Sequence, residues 1–553
     1  MAGACSATLG MIAAPALAMP ERAAYDVVIR HGNVFDGDGA PPREMDVAIL
    51  SGDIATIHPH IPGAGRIEID ARGLAVAPGF IDIHSHADGT LFEDPRAESV
   101  IRQGVTTVIA GQDGSSRAPV FQDDVRSANP VLGRAESLSQ VFETINSLPS
   151  AINVASMVGL GTVRHAVIGD DDRPATEAEL QRMTALVEEQ IRFGACGASS
   201  GLEYVPSGFA SAAELATLCR PLASRGLPYA THMRNEDDRL LESIDEAISV
   251  ARAAGCPLQI SHLKTEGERN WHKIDAVFER LSQARDAGIS VAFDRYPYIA
   301  FQTGLSNLFP KWSEDGGTGP FLGRLSNADL GEKLRSAVKE KVALIGGWDN
   351  VLISSVSSEA ERGAENQRLG SYARALGREP YDVAVSLLIN SHADVGMVCF
   401  AMSERNLERF LAHPLAMICS DGGAVAIEDA TREGHPHPRT LGTFPRVLGV
   451  YAREKRVLTL PQAIYKMTGF PASRVKLSDR GRLAPRFAAD VVIFDPATVA
   501  DRASFANPLQ YPVGIRTVLV NGKPAILDGE RRQARDGRAL RPSTYMIPEQ
   551  KKS

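Results

Sequence analysis

The rhythm of apolar and polar positions changes near Pro78-Gly79 and again after Leu460. Before the first change, residues 25–30, 45–50 and 54–57 are short apolar-rich runs. Gly32-Asn33-Val34, Gly37-Asp38-Gly39 and Ser51-Gly52-Asp53 separate and flank them. Runs of that length between Gly/Asn/Asp turns predict strands. From residue 80 short apolar runs alternate with stretches whose apolar residues recur three or four apart. Strands are predicted at 77–84, 106–110, 153–158, 197–200, 228–232, 257–262, 290–294 and 417–420, with helices at 177–193, 211–225, 237–254 and 273–287. This alternation predicts parallel strands covered by helices, and eight of them suit a closed (β/α)8 barrel.

The stretch of about 301–355 breaks the alternation. It is rich in Gly, Asn and Ser, carries Gly316-Gly317 and Gly346-Gly347, and its helical patterns are short. It reads as an insertion over the barrel mouth, in the manner of a lid. Its glycines lack the strand–GxxxxGK–helix order of a phosphate-binding loop. Beyond 460, a helix at 461–467 precedes strand-like runs at 489–495 and 518–523. The expected fold is therefore α/β: a distorted, TIM-like (β/α)8 barrel with a small β-sandwich domain built from both chain ends. The expected division is a leader at 1–24, sandwich at 25–79, barrel at 80–475 and the rest of the sandwich at 476–546.

Composition narrows the partners. The 553 residues carry a net charge of −8 with no long Lys/Arg run, which argues against nucleic acid or an anionic membrane surface. Six cysteines without a C-x-x-C pair read as small buried residues, Cys419 among them, and not as a disulfide framework. The first 24 residues are small and apolar, and Ala16-Leu17-Ala18 suits an A-x-A cleavage site, but no charged segment precedes it. Location is thus open between the cytoplasm and, if the leader is a signal peptide, the periplasm or exterior. The run is too short and too broken by Ala, Pro and Gly for a membrane span.

Polar residues gather where the predicted barrel strands end: His84, His86, Asp113, His232, His262, Asp294 and Asp421. Strand alternation puts His84 and His86 on one face. Barrel closure brings such strand ends to a common mouth, where barrel enzymes place their sites. Imidazole and carboxylate donors suit zinc with one position left for water. Zinc would bring that water's pKa to about 7 and polarise a carbonyl. A neighbouring carboxylate could carry the proton to a leaving amine, and Asp421 is the candidate both for that duty and as a ligand.

Several stretches together carry a resemblance. They are residues 78–86 (Pro-Gly-Phe-Ile-Asp-Ile-His-Ser-His), Gly104-Val105-Thr106-Thr107-Val108, residues 199–206 (Ser-Ser-Gly-Leu-Glu-Tyr-Val-Pro), Thr231-His232-Met233-Arg234-Asn235-Glu236, Ile260-Ser261-His262, residues 293–298 (Phe-Asp-Arg-Tyr-Pro-Tyr), Ser420-Asp421-Gly422, His437-Pro438-Arg439 and residues 442–446. With them the chain, from Tyr25 to about residue 530, resembles the amidohydrolase superfamily and, within it, the D-aminoacylase (N-acyl-D-amino-acid deacylase) family. The resemblance implies one or two Zn2+ ions. His84, His86 and Asp421 match one site, and His232 and His262 match a second, tighter one. The family often completes the tight site with a cysteine in a Gly-Asn-Cys-Gly turn; here the turn is Gly111-Gln112-Asp113-Gly114, and Asp113 becomes the expected ligand. A carboxylate is a harder donor than a thiolate and can bridge two metals.

The same resemblance implies that Lys264, Tyr296 and Arg439 hold the carboxylate of an N-acyl-amino-acid substrate, Arg439 by its bidentate fork. Leu160 stands where relatives can carry a histidine, and Gln302 and Thr303 occupy the region of a frequent serine. The expected reaction is hydrolysis of an N-acyl-D-amino acid to a carboxylate and a D-amino acid, and the preference for D comes from the resemblance alone. Hydrolysis of a cyclic amide, as in dihydropyrimidinase-like enzymes, would call for a bridging lysine that no strand end supplies. A catalytically inactive, metal-poor binding scaffold is a further alternative, against which the four histidines and Asp421 argue. Oligomeric state stays open.

Overall fold

The computed structural model describes residues 23–121, 133–148, 150–428, 431 and 434–545. The leader expected at 1–24, with Ala16-Leu17-Ala18, falls outside them up to residue 22.

Both chain ends meet in one nine-stranded sheet. Its hydrogen-bonded order is Glu530–Arg531, Lys523–Leu527, Ile515–Val520, Val491–Phe494, Ala75–Pro78, Tyr25–Val34, Arg43–Leu50 and Asp53–His58, with Gly65–Asp70 paired beside Tyr25–Val34. The two ends join where Ala77 lies opposite Val492 in an antiparallel pair.

The barrel strands are Phe80–Asp82, Val105–Ala110, Asn153–Ser156 continued by Val158–Gly159, Ala198–Gly201, Tyr229–His232, Leu258–Ile260, Val291–Arg295 and Ala416–Ile418. All of their ladders are parallel. Val105–Ala110 is buried at every position, as a strand covered on both faces requires. Two departures from a regular ring distort it. The third strand kinks at Met157, whose N–H donates to Ala110 while Val158 turns to Gly197. The last strand meets the first without a ladder: Asp421 N–H donates to the His84 carbonyl at 3.0 Å, and His86 N–H to the Gly422 carbonyl at 2.9 Å. This seam lies among the candidate ligands.

The covering helices follow their local signals. Thr176 and Glu179 form a reciprocal capping box at the start of Glu177–Arg192. Ser211 caps Ala212–Ala223, and Gly255, in the left-handed region, closes Leu240–Ala254.

The expected strand 77–84 is two strands. Gly79 separates Ala75–Pro78, in the nine-stranded sheet, from Phe80–Asp82, in the barrel. A Cβ at Gly79 would lie 2.3 Å from Thr106 Oγ1, so only glycine lets the chain pass here. His84 and His86 therefore lie past the strand, and strand alternation is not what aligns them.

The insertion also runs further than 355. Phe301–Gly304, Val351–Val356 and Val395–Cys399 form their own antiparallel sheet, with Val395–Cys399 in the centre. Its helices are not all short: Ala328–Leu344 has 17 residues.

A buried polar knot ties barrel to sheet. Asp490 accepts from Asn153 Nδ2 at 3.0 Å and from the Asn521 backbone at 2.7 Å, and pairs with Arg480. Asn521 Nδ2 donates in turn to Asn153 Oδ1 at 2.8 Å.

Candidate metal centre

Four imidazoles and two carboxylates converge at the C-terminal ends of the barrel strands. Asp113 is their centre. Its Oδ2 lies 3.3 Å from His84 Nε2, 3.5 Å from His86 Nε2, 3.5 Å from His262 Nε2 and 3.9 Å from His232 Nδ1. Asp421 Oδ1 lies 3.1 Å from His86 Nε2 and 3.6 Å from His84 Nε2. The donors fall into two overlapping groups of metal-binding size: His84, His86, Asp113 and Asp421, and Asp113, His232 and His262. Asp113 belongs to both.

The backbone places these groups at some expense. Asp113, His262 and Asp421 have φ of 50°, 34° and 49°. This region is sparsely used by non-glycine residues, and its occupation at three converging donors marks a site whose geometry the surroundings enforce. Gly111, at φ 71°, opens the Asp113 turn, where a Cβ would stand 2.1 Å from the Met157 carbonyl.

Behind three of the histidines sits a second carboxylate. His84 Nδ1 is 3.4 Å from Asp294 Oδ1, His262 Nδ1 is 3.2 Å from Glu236 Oε1, and His232 Nε2 is 3.4 Å from Glu203 Oε2. Asp294 also accepts the His262 backbone N–H at 2.8 Å and the Gln259 amide at 2.7 Å. Such carboxylates fix the ring and the tautomer of a metal-ligating histidine. Sequence reasoning marked Asp294 as a strand-end residue and gave Glu203 and Glu236 no role. Glu236 stands four residues after His232, but beyond the strand end that spacing implies no common face.

Electrostatics follow from this crowding. Burial disfavours charge on His86, yet Asp113 and Asp421 outweigh it and raise the ring to about 9. His232 likewise rises to about 10 against burial, through Glu236, Asp113 and Glu203. Asp113 and Asp421 are pushed up by burial but held well below the usual carboxylate range, Asp113 by His84 and His262, Asp421 first by Arg439.

The residues present fit a divalent cation. His84 Nε2 and His232 Nδ1, both turned to Asp113 Oδ2, are buried and have no hydrogen-bond partner among the described residues. Buried polar atoms are almost always paired, and donors left bare around one point suit a metal. Cys419 is buried, with its thiol pushed up by burial and by Asp294, and is in neither donor group.

The centre opens into a cavity of about 1110 Å3. Lys264, Tyr296 and Arg439 line it together with the candidate ligands His86, Asp113, His232, His262 and Asp421. Arg439 Nη1 donates to Asp421 Oδ2 at 2.6 Å, and its guanidinium lies 4.8 Å from the centre of the Tyr296 ring. Lys264 Nζ pairs with Glu236 and lies 2.8 Å from His262 Nδ1. Tyr296 Oη is buried without a partner among the described residues. No described helix is long and apolar enough to cross a membrane.

Known proteins resemble this chain in sequence and fold. The model of the amidohydrolase family matches residues 68–301 and 430–526. The chain is 35% identical over 530 residues to N-acyl-D-aspartate deacylase of Alcaligenes xylosoxydans xylosoxydans, covering 94% of this chain and 95% of that protein. It is 34% identical to D-aminoacylase of the same organism, covering 90% and 94%. The crystal structure of N-acyl-D-glutamate deacylase from Bordetella bronchiseptica, with zinc and a phosphonate mimic of the tetrahedral intermediate, superposes with a TM-score of 0.79 at 33% identity, over 94% of this chain and 99% of that one. Dihydropyrimidinase from Brevibacillus agri, at 15% identity and a TM-score of 0.57, shares the fold. The chain belongs to the amidohydrolase family and, within it, to the N-acyl-D-amino-acid deacylases.

Proposed function

We propose that this protein hydrolyses the amide bond of N-acyl-D-amino acids, with zinc held by His84, His86, Asp113, His232, His262 and Asp421. The observation that carries the reading is the convergence of these donors on the Asp113 carboxylate at the floor of a cavity that also presents Lys264, Tyr296 and Arg439. Bound there, zinc supplies Lewis acidity: it polarises the scissile carbonyl and brings the attacking water's pKa to about 7.

The chain's own groups do the rest. Asp421 accepts the proton of the attacking water at its carboxylate and returns it to the amide nitrogen as the C–N bond breaks, so that the amine leaves neutral and the acyl group leaves as a carboxylic acid, whose remaining proton passes to solvent to give the carboxylate. Oδ1 faces the histidines while Oδ2 is bonded to Arg439, which fixes the direction of that oxygen. Arg439, Lys264 and the free Tyr296 hydroxyl receive the substrate's carboxylate and set the carbonyl over the centre.

The test is amine release from paired N-acetyl-D- and N-acetyl-L-amino acids, before and after chelation and re-addition of zinc. Cleavage of the D members that is lost on chelation and restored by zinc is expected. Preference for L substrates, or turnover indifferent to chelation, overturns the reading.

A further inference from the structure

The relatives named for D-aspartate and D-glutamate substrates and the D-aminoacylase match this chain almost equally well. Overall similarity therefore does not select the side chain, but the cavity wall does. Glu203, Glu236 and Glu266 line the cavity, with Asp237 behind them. Two lysines face these four carboxylates, and both are engaged. Lys264 pairs with Glu236. Lys341, from the insertion helix Ala328–Leu344, bonds Asp237 at 2.9 Å and Glu266 at 3.3 Å.

Glu203 pairs directly with neither lysine, and the Lys341 charge acts on it only from beyond ion-pair distance. Its contacts are the Asn307 amide at 3.3 Å and His232 Nε2 at 3.4 Å, and both use Oε2. Lys311, the next cation along the insertion, is turned to the Leu202 carbonyl. Among the described residues, no lysine or arginine lies within ion-pair distance of Glu203, and Oε1 has no partner. Its side chain is 11% exposed, against 3% for Glu236 and Glu266, so Glu203 is the most open of the three to the cavity. Glu203 lines the same cavity as Asp113, His232, Tyr296 and Arg439.

We infer that Glu203 selects N-acyl-D-amino acids with a cationic side chain, the amino or guanidino group of D-lysine, D-ornithine or D-arginine type, by pairing with it through Oε1. The inference rests on the deacylase reading above. A substrate carboxylate held by Arg439, Lys264 and Tyr296 adds negative charge beside four carboxylates whose two facing lysines are already engaged. A cationic side chain offsets both. An acidic side chain meets repulsion, and an apolar one covers Glu203 without replacing its water, which penalises binding. This sets the chain apart from the activities named for two of its relatives.

The test compares kcat/KM of the zinc-loaded protein for N-acetyl-D-lysine, N-acetyl-D-leucine and N-acetyl-D-glutamate, in the natural chain and in Glu203→Gln and Glu203→Leu. N-acetyl-D-lysine is expected to lead N-acetyl-D-glutamate by at least about tenfold, the smallest step that one desolvated charge contact gives. Glu203→Leu is expected to cut the lysine-to-leucine ratio by about tenfold or more, and Glu203→Gln by a smaller factor. Glu203 also touches His232, but damage passed through that ring lowers all substrates together and leaves the ratio unmoved. Preference for N-acetyl-D-glutamate, or a ratio unchanged in Glu203→Leu, overturns the inference and leaves the deacylase reading standing. Failure to cleave any of the three removes both.

Discussion

Arg439 donates to Asp421 across 2.6 Å, so the group proposed to hold the substrate's carboxylate is the partner of the proposed proton carrier. On that proposal, substrate binding and proton transfer compete for one guanidinium. A bidentate fork can serve two acceptors, whereas an ammonium acts as a single point charge. Arg439→Lys is expected to raise KM and lower kcat together, with kcat/KM falling about 10- to 100-fold, the range of a hydrogen bond to a charged group. Steady-state kinetics at confirmed zinc content checks this. A change confined to KM would show that Arg439 does nothing for Asp421.

Asp113 is expected to decide metal content. Its Oδ2 lies within 3.9 Å of a nitrogen on each of four histidines. Asp113→Ala should therefore lose zinc along with activity. Asp113→Cys should regain zinc and hold it more tightly, because a thiolate is the softer donor. Zinc analysis after dialysis against a weak chelator measures both. Unchanged metal content in Asp113→Ala would remove Asp113 from the site.

The polar knot between the barrel and the nine-stranded sheet is expected to be a stability element. Arg480 and Asp490 are 5% and 3% exposed, and Asp490→Ala removes the buried carboxylate that the guanidinium pairs with, leaving it Asn521 Oδ1 at 2.9 Å and the more exposed Asp479 at 3.7 Å. Breaking such a pair costs about 3–5 kcal/mol. The urea midpoint should fall in proportion, with the zinc content of the folded protein unchanged. A midpoint equal to that of the natural chain would show that the knot does not hold the two parts together.

Acid sensitivity should have a source far from the centre. The His413 ring stacks on Phe278 with centroids 4.5 Å apart. Burial first, then Lys466 and Arg285, hold its pKa down to about 4. The unfolded ring titrates near about 6.5, so on acidification the unfolded chain takes up a proton that the folded chain refuses. Stability from this residue is complete above about pH 6.5 and drains away as pH falls toward about 4. His413→Phe keeps the stacking and removes the titration, so its unfolding midpoint should fall less over that window. Parallel slopes for the two proteins would count against His413.

Much of this was legible in the sequence for a physical reason. Parallel barrel strands are buried on both faces, so they stand out as short apolar runs, and the polar residues that end them form the candidate site. What escaped depends on three dimensions. The run through Gly79 is apolar on both sides, and nothing local tells that its halves join different sheets. Val395–Cys399 has the character of a barrel strand, yet it pairs antiparallel with Phe301–Gly304 and belongs to the insertion. Glu203 and Glu236 sit inside motifs that were visible, but their place behind His232 and His262 arises only when strand ends from distant parts of the chain come together.

The seam of the barrel also sets a timetable. Ser85 and Gly422, which bond across it, are 337 residues apart. At synthesis rates of 5–20 residues per second, roughly 20–70 s separate the emergence of the first histidines from that of Asp421. For that interval a nascent chain carries His84, His86 and Asp113 without Asp421, and later His232 and His262 join them, before any closed ring exists to shape them. The donor group that includes Asp421 is thus completed only late in synthesis, and the pocket is among the last parts of the protein to come into being.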